Sequence, residues 1–227
     1  MLSNSQIKKI RSLQQKKFRK EHGEFVVEGE KIVQELLQSD YNVVNHFSTI
    51  EAEGAELISN KELDRITGLK KGNRSIAIAQ MKEQTAQSVS SILLDGVNDP
   101  GNLGTIIRIA DWYGIEQVVC SMDTADCYNS KVVQSTMGSL FRINIIYTDL
   151  KQYIQDSQFD TYAAVMNGEA VNKVEGHFNL LMGSESHGIR AGLDRDAEKR
   201  VTIGKKGRAE SLNVGVATGI LLDRLVG

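Results

Sequence analysis

From residue 91 onwards, short apolar runs alternate with segments whose apolar residues recur at helical spacing. The apolar runs are residues 92–97, 117–120, 143–147, 161–166 and 180–182, and the helical segments are residues 102–113, 130–141 and 211–225. Strands that alternate with helices form βαβ units, in which the strands are parallel and helices cover both faces of the sheet. This part of the chain is therefore predicted to be an α/β domain with a largely parallel sheet. A ligand would bind beyond the carboxyl ends of its strands.

The first 84 residues have a less regular pattern, which predicts a small α/β unit. A basic amphipathic helix is predicted over the first 20 residues, with Gly23 as its stop signal. Short strands are predicted at residues 25–27, 43–47, 56–59 and 76–78, and helices at residues 29–37 and 61–66. Residues 84–91 are polar and suit a linker. The 227 residues therefore divide into two predicted domains, at residues 1–84 and 91–227.

The charged residues are segregated along the chain. Lys and Arg number 27 and Asp and Glu 29, a net charge of −2 that argues against a wholly basic nucleic-acid binder. Residues 1–20 carry seven basic side chains and no acidic one, and residues 21–64 carry eleven acidic and two basic. Residues 65–82, which include Lys70 and Lys71, carry five basic side chains and none acidic. Basic blocks are typical both of nucleic-acid-binding patches and of solvated helix faces, and charge alone leaves both open.

Several classes of protein are not expected. The chain has no run of about 18 apolar residues that could span a membrane. Its basic start has no apolar core and does not predict a secretory signal. The two cysteines form no disulfide framework, so we expect a cytoplasmic protein. The P-loop and Rossmann glycine motifs are missing, and the four histidines lack metal-ligand spacing, so neither of these phosphate cradles nor a metal site is expected.

Polar residues and glycines stand directly after two of the predicted strands. After the first, Pro100 favours a helix start and Asn102 is a candidate N-cap, with Arg108 less than two helical turns further on. After the last, Gly183 would let a ligand approach the backbone, and Glu185 could accept hydrogen bonds from hydroxyls or amines. Each segment by itself also fits an ordinary turn.

A third polar segment opens the last predicted helix. Ser211 is a plausible N-cap, which would place Asn213 in the first turn, with an amide that offers a ligand both a donor and an acceptor. Capping accounts for Ser211 but not for an asparagine in an otherwise apolar helix.

Together the three segments resemble the SpoU/TrmH family of RNA ribose methyltransferases, within the SPOUT superfamily. The family's motif N-x-G-x-x-x-R matches Asn102, Gly104 and Arg108; its motif G-[SA]-E-x-x-G matches Gly183, Ser184, Glu185 and Gly188; and its motif S-L-N-V-x-x-A matches residues 211–214 and Ala217. The resemblance covers residues 91–227. The strand at residues 25–27, followed by Glu28, Gly29 and an amphipathic helix, is similar to the ribosomal-protein-like substrate-binding domain that many such enzymes carry first.

The resemblance implies a fold, a methyl donor and an assembly. The C-terminal domain would be a SPOUT domain, a parallel sheet with a deep trefoil knot, and the protein would be a homodimer. S-adenosylmethionine would bind as methyl donor against the backbones near Met166, Gly183, Ile203 and Leu212. No metal is implied.

The resemblance also implies an activity, the methylation of a ribose 2′-hydroxyl in RNA, with ribosomal RNA favoured over transfer RNA. The implied catalytic residues are Asn102, Arg108, Glu185, Ser211 and Asn213. The family assigns to Arg108 the activation of the hydroxyl, as a base, but a guanidinium stays protonated in proteins, so our hypothesis is a clamp on the neighbouring phosphate. The basic residues that we expect to contact RNA are Lys16, Lys17, Arg19, Arg74, Lys205, Lys206 and Arg208. Three alternatives stay open: a transfer-RNA ribose methyltransferase, a methyltransferase for another acceptor such as a base nitrogen, and a non-catalytic RNA-binding protein that kept the fold.

Overall fold

The computed structural model describes residues 1–69 and 73–227, so Lys70 and Lys71 of the second basic block lie outside the described residues. The chain folds into two compact units. The first unit comprises residues 1–83 and 126–142, and the second comprises residues 84–125 and 143–227. The segment 126–142, which the predicted boundaries include in the C-terminal domain, therefore groups with the N-terminal residues.

The elements of the described residues are as follows, in chain order. The strands are β1 Glu24–Glu28, β2 Val43–Ser48, β3 Glu56–Leu57, β4 Ser75–Gln80, β5 Ser91–Asp95, β6 Gln117–Cys120, β7 Asn144–Tyr147, β8 Thr161–Ala170, β9 Asn179–Gly183 and β10 Lys199–Thr202. The α-helices are α1 Asn4–Ser12, α2 Lys16–His22, α3 Glu30–Leu37, α4 Asn60–Ile66, α5 Pro100–Trp112, α6 Ser130–Thr136, α7 Leu150–Asp156, α8 Leu193–Asp196 and α9 Val214–Val226. None of these helices is long and apolar enough to cross a membrane.

The second unit is built on a sheet of six strands in the order β10-β8-β9-β5-β6-β7. Every pair of neighbours in it is parallel, which confirms the predicted α/β class. Leu93, Val119 and Leu181, from three adjacent strands, are fully buried in one core cluster, as expected for a sheet covered by helices. The chain order runs outward from β5 to β7 on one side, while β8 and β9 lie on the other. The carboxyl ends of β5 and β9 therefore flank the switch point at which such sheets bind ligands.

The first unit has a sheet in the order β1-β4-β2-β3, in which β4 is antiparallel to both of its neighbours and β2 is parallel to β3. Its core includes Ile10, Leu13, Phe47, Ile66 and Ile76. Residues from the first helix, from the sheet and from α4 thus share one apolar interior, as a small α/β domain requires.

The single helix predicted for the first basic block is wrong, because α1 and α2 are separate. Gly23, with φ +65°, ends α2 at the predicted stop. Arg19 explains part of the break: its guanidinium donates hydrogen bonds of 2.9 Å to the backbone carbonyls of Leu13 and Gln14, which lie between the two helices. The same group pairs with Asp126 at 2.7 Å, and the Arg19 side chain is 2% exposed. Arg19 is thus a structural residue of the first unit and is not available to RNA.

The helix predicted over residues 130–141 is also shorter than expected. It ends at Thr136, because Met137 and Gly138 adopt positive φ angles of 52° and 98°, and a 3₁₀ turn over Ser139–Phe141 follows. A residue in the left-handed region cannot continue a right-handed helix.

Candidate functional site

The first motif lies where β5 passes into α5. Asp95 ends the strand and pairs in register with Gly183 of β9. The N-cap of α5 is Asp99, whose side chain accepts a 2.9 Å hydrogen bond from the Asn102 backbone N–H. The prediction that Asn102 caps this helix is therefore wrong. Because Asp99 satisfies that N–H, the Asn102 side-chain amide is left for other partners.

The second motif forms a tight hairpin after β9. Ser184 and Gly188 bridge each other through backbone hydrogen bonds of 3.1 and 2.9 Å, and Gly188 has φ +66°. A Cβ on Gly183 would lie 2.1 Å from the carbonyl carbon of Gly188, so only glycine fits there. Between these glycines Glu185 stands exposed at the carboxyl edge of the sheet.

The third motif begins α9 with Asn213. Its side-chain oxygen accepts hydrogen bonds from the backbone N–H groups of Gly215 and Val216, at 3.0 and 3.3 Å. The predicted N-cap, Ser211, is wrong by two residues, and Asn213 precedes the first turn. Since the cap uses only the Asn213 oxygen, its NH₂ group remains available as a donor.

The three motifs meet in one polar cluster formed by Asn102, Glu185 and Asn213. The amide nitrogens of Asn102 and Asn213 donate to Glu185 Oε1, at 2.7 and 2.9 Å. The Asn213 nitrogen also donates to Asn102 Oδ1 at 2.9 Å. The carboxylate thus receives two amide donors, each from a different helix start, and each asparagine is fixed in orientation by the other. We call these three residues the polar triad.

The two other residues predicted as catalytic lie outside the triad. Arg108 is exposed on α5, and its side chain makes no hydrogen bond or ion pair to any residue that the structure describes. Ser211 is exposed and lines a cavity at the carboxyl ends of β9 and β10. Both side chains are therefore open to a bound molecule.

This cavity of about 570 Å³ lies at the carboxyl ends of β9 and β10 and beside the middle of β8, at residues 164–166. All four residues predicted to contact S-adenosylmethionine line it: Met166, Gly183, Ile203 and Leu212. Its charged lining residues are Glu185, Asp194, Lys205, Lys206 and Glu210. A largely apolar wall with a few charged groups, in this range of volume, is typical of small-molecule sites. It suits a ligand that has a flat heterocycle, a carboxylate and cationic groups, as S-adenosylmethionine has.

The remaining residues predicted to contact RNA are spread over both units. Lys16 and Lys17 are exposed at the start of α2, and Arg74 is exposed with a 3.7 Å ion pair to Glu30. In the second unit, Lys205, Lys206 and Arg208 are exposed in the loop between β10 and α9. Lys205 and Lys206 line the cavity, whereas Arg208 does not.

Sequence reasoning missed one charged cluster at this edge. Asp95 is 1% exposed, and its carboxylate accepts hydrogen bonds from the Arg190 backbone N–H at 2.6 Å and from Arg190 Nε at 2.5 Å. The Arg190 guanidinium also reaches Asp123 at 3.3 Å. These contacts raise the pKa of Arg190, with the Asp95 hydrogen bond as the main cause. The available signal was an aspartate at the end of an apolar strand, because a buried carboxylate needs a partner.

The fold and the site together define an α/β enzyme with a small-molecule cavity and a polar cluster at the carboxyl edge of a parallel sheet. The chain belongs to the SpoU rRNA Methylase family, whose sequence model matches residues 90–223. A second model, the MRM3-like substrate binding domain, matches residues 4–91.

Named relatives match one or both parts of the chain. The 23S rRNA (guanosine(2553)-2'-O)-methyltransferase RlmP of Bacillus subtilis is 32% identical over 240 residues, covering 99% of this chain and 97% of that protein. The 23S rRNA (guanosine-2'-O-)-methyltransferase RlmB of Escherichia coli K12 is 33% identical over 142 residues, covering 60% of this chain and 58% of that protein.

Solved structures are similar over nearly the full chain. A putative RNA methyltransferase of the TrmH family from Porphyromonas gingivalis has a TM-score of 0.87 at 32% identity, covering 98% of this chain and 97% of that one. The AdoMet-bound rRNA methyltransferase of Sinorhizobium meliloti has a TM-score of 0.84 at 30% identity, covering 98% and 94%.

Proposed function

We propose that this protein methylates a ribose 2′-hydroxyl of ribosomal RNA, with S-adenosylmethionine as the methyl donor. The observation that carries the proposal is the polar triad beside a cavity of about 570 Å³. Three motifs that are far apart in the sequence converge there. The relatives named for this activity on 23S ribosomal RNA support the choice of acceptor.

The cavity residues account for binding of the donor. Met166, Ile203 and Leu212 supply apolar surface for a heterocycle, and Gly183 allows close approach to the backbone. Lys205 and Lys206 can pair with a carboxylate, and the three acidic residues of the lining favour a molecule with cationic groups. When bound, S-adenosylmethionine supplies an electrophilic methyl group on a positively charged sulfur.

The residues of this chain have to hold the ribose and manage its proton. In the reaction a carbon–oxygen bond forms as a carbon–sulfur bond breaks, the donor leaves as the neutral thioether, and the hydroxyl proton passes to solvent. Positioning for this in-line displacement supplies most of the acceleration. The polar triad fixes Glu185 at the edge of the cavity, where its second oxygen is free of side-chain donors among the described residues. The role of Arg108, whose planar guanidinium offers a fork of donors, is to bind the adjacent phosphate and polarise the hydroxyl.

The basic surface residues would bind the RNA backbone. Lys16, Lys17 and Arg74 belong to the unit whose matching family is named for substrate binding, and Lys205, Lys206 and Arg208 border the donor cavity. Each phosphate contact adds to the salt dependence of binding. We expect substitutions that remove the charge of these residues to weaken RNA binding and to reduce its salt dependence. Substitution of Arg74 should leave donor binding unchanged.

A homodimer with a trefoil knot in each C-terminal domain, acting in the cytoplasm, is part of the proposal. Trp112 of α5 is 84% exposed and Val216 of α9 is 51% exposed. Large exposed apolar side chains on two helices that pack together mark an interaction surface, and a second copy of the chain would cover it. Light scattering of the wild type and of Trp112→Glu tests this part, since the substitution should shift the protein to monomers.

Calorimetric titration with S-adenosylmethionine tests the donor site. We expect binding by the wild type and by Arg108→Ala, because Arg108 does not line the cavity, and weakened binding by Leu212→Asp. Arg108→Lys should lose most of its methyl transfer to RNA, because an ammonium cannot form the bidentate contact of a guanidinium. A wild type that fails to bind the donor would support the non-catalytic RNA-binding alternative and overturn this proposal.

A further inference from the structure

The cluster of Asp95, Asp123 and Arg190 lies at the same carboxyl edge of the sheet as the polar triad, but none of its residues belongs to the triad or lines the donor cavity. Asp95 is the last residue of β5 and is 1% exposed. A carboxylate so deeply buried requires a charged or hydrogen-bonding partner, and Arg190 supplies three contacts to it: its backbone N–H, its Nε and a terminal guanidinium nitrogen.

Arg190 also joins this strand end to its neighbour. Its guanidinium reaches Asp123 in the loop after β6, at 3.3 Å. Gly96 follows Asp95 in the chain, and its backbone N–H donates a 2.9 Å hydrogen bond to the hydroxyl of Ser121, which follows β6. The ends of β5 and β6 and the segment after β9 are therefore connected through one side chain.

Arg190 lies close in the chain to the hairpin that carries Glu185. Arg190 follows the hairpin of residues 184–188 after a single residue, Ile189. One end of the hairpin is held by the ladder between β9 and β5, which extends to Gly183. The other end is held by Arg190 on Asp95. Glu185 lies exposed in this hairpin, where its Oε1 accepts the hydrogen bonds from Asn102 and Asn213.

We propose that Arg190 is a positioning residue for the reaction: by binding Asp95 it holds the hairpin so that Glu185 meets Asn102 and Asn213. This inference rests on the proposed function, since it concerns the same site. Arg190 itself does not line the donor cavity. Its effect on methyl transfer is therefore exerted through Glu185.

The test is a double-mutant cycle with Arg190→Gln and Glu185→Gln, with methyl transfer to unmodified ribosomal RNA as the readout. We expect Arg190→Gln to lower kcat at least tenfold, with a smaller change in the KM for S-adenosylmethionine. The double variant should be no more than threefold slower than Glu185→Gln, because both changes remove the same interaction. Arg195→Ala is the matched control: this arginine is exposed five residues further on, and the variant should keep wild-type kcat.

A charge-free variant pair and a hydrogen-exchange measurement test the inference independently of how well Arg190→Gln folds. If Arg190→Gln does not fold because Asp95 is left buried without its partner, the pair Asp95→Asn with Arg190→Gln removes both charges and should fold with the same loss of kcat. Hydrogen exchange of residues 184–189 should be faster in the Arg190 variants, and this readout needs no activity. The inference would be overturned if the losses of kcat in Arg190→Gln and Glu185→Gln multiplied in the double variant. It would also be overturned if hydrogen exchange in the hairpin were unchanged. A wild type without methyl transfer but with faster exchange in the Arg190 variants would overturn only the proposed function.

Discussion

Asn213 performs two tasks that a single substitution can separate. Its oxygen caps α9 through two backbone N–H groups, while its nitrogen donates to Glu185 and Asn102 at 2.9 Å. Serine caps helices about as well as asparagine but lacks the NH₂ group. Asn213→Ser therefore keeps the cap and removes both donated hydrogen bonds. Asn213→Ala removes the cap as well as both donated hydrogen bonds.

The size of each effect follows from these contacts. A lost cap costs about 1 kcal/mol, which lowers the Tm of a chain this long by about 2–4 °C. Asn213→Ala should show this loss, and Asn213→Ser, which keeps the cap, should have a Tm about 2–4 °C above that of Asn213→Ala. A hydrogen bond to a charged group contributes about 1.5–3 kcal/mol. If that energy orients Glu185 in the transition state, both variants should lose about 10- to 150-fold in kcat/KM.

The assay is transfer of a labelled methyl group from S-adenosylmethionine to ribosomal RNA that lacks the modification, with Tm measured in parallel. Asn129→Ala is the matched control, because Asn129 caps α6 in the first unit through a 2.9 Å hydrogen bond from the Lys131 backbone N–H. It should lose stability and retain kcat/KM. Asn213→Ser with kcat/KM within threefold of the wild type would refute the role of the triad.

Three further predictions concern stability, donor binding and pH. Arg19→Met should lower the free energy of unfolding by about 3 kcal/mol, since it leaves the largely buried Asp126 without its ion-pair partner, and should leave the RNA affinity of the folded protein unchanged. Urea unfolding and RNA titration check this, and a stable variant with weak RNA binding would contradict it. Gly183→Ala places a Cβ 2.1 Å from the hairpin backbone and should abolish donor binding in calorimetry, whereas Gly219→Ala, whose Cβ would meet only Ile109 at 3.7 Å and which does not line the cavity, should bind the donor normally; donor affinity of Gly183→Ala within twofold of the wild type would count against the tight hairpin. The backbone N–H groups of Ser59 and Leu2 lower the pKa of Glu62 from 4.5 to about 2, so its charged form stabilises the fold above pH 4.5 and this contribution disappears as the pH falls towards 2. Tm measured against pH should fall less steeply in this window for Glu62→Gln, and identical slopes would contradict the assignment.

Local patterns in the amino-acid sequence predicted much of this structure. The alternation of apolar runs and helical segments after residue 91 predicted the parallel sheet, because period and length distinguish strands from helices locally. The order of the motifs indicated that Asn102, Glu185 and Asn213 belong to one site. Their mutual hydrogen bonds were not predicted, since these residues lie 28 to 111 positions apart.

The errors arose where several residues of similar chemistry compete for one task. Asp99 and Asn102 are both good N-caps, as are Ser211 and Asn213, and the backbone angles decide between them. Arg19 looked like its basic neighbours because charge patterning carries no information on burial. Its partner Asp126 lies 107 residues away, in a segment that groups with the first unit only in the folded chain.

Analysis of modified nucleosides in ribosomal RNA tests the central claim most directly. RNA from a strain that lacks this gene is incubated with the purified protein and S-adenosylmethionine, digested to nucleosides and examined by mass spectrometry. We predict that one 2′-O-methylated nucleoside missing from the deletion strain is restored, and that Arg108→Lys fails to restore it. A methyl group found on a base, or transferred only to transfer RNA, or no transfer at all, would contradict the account.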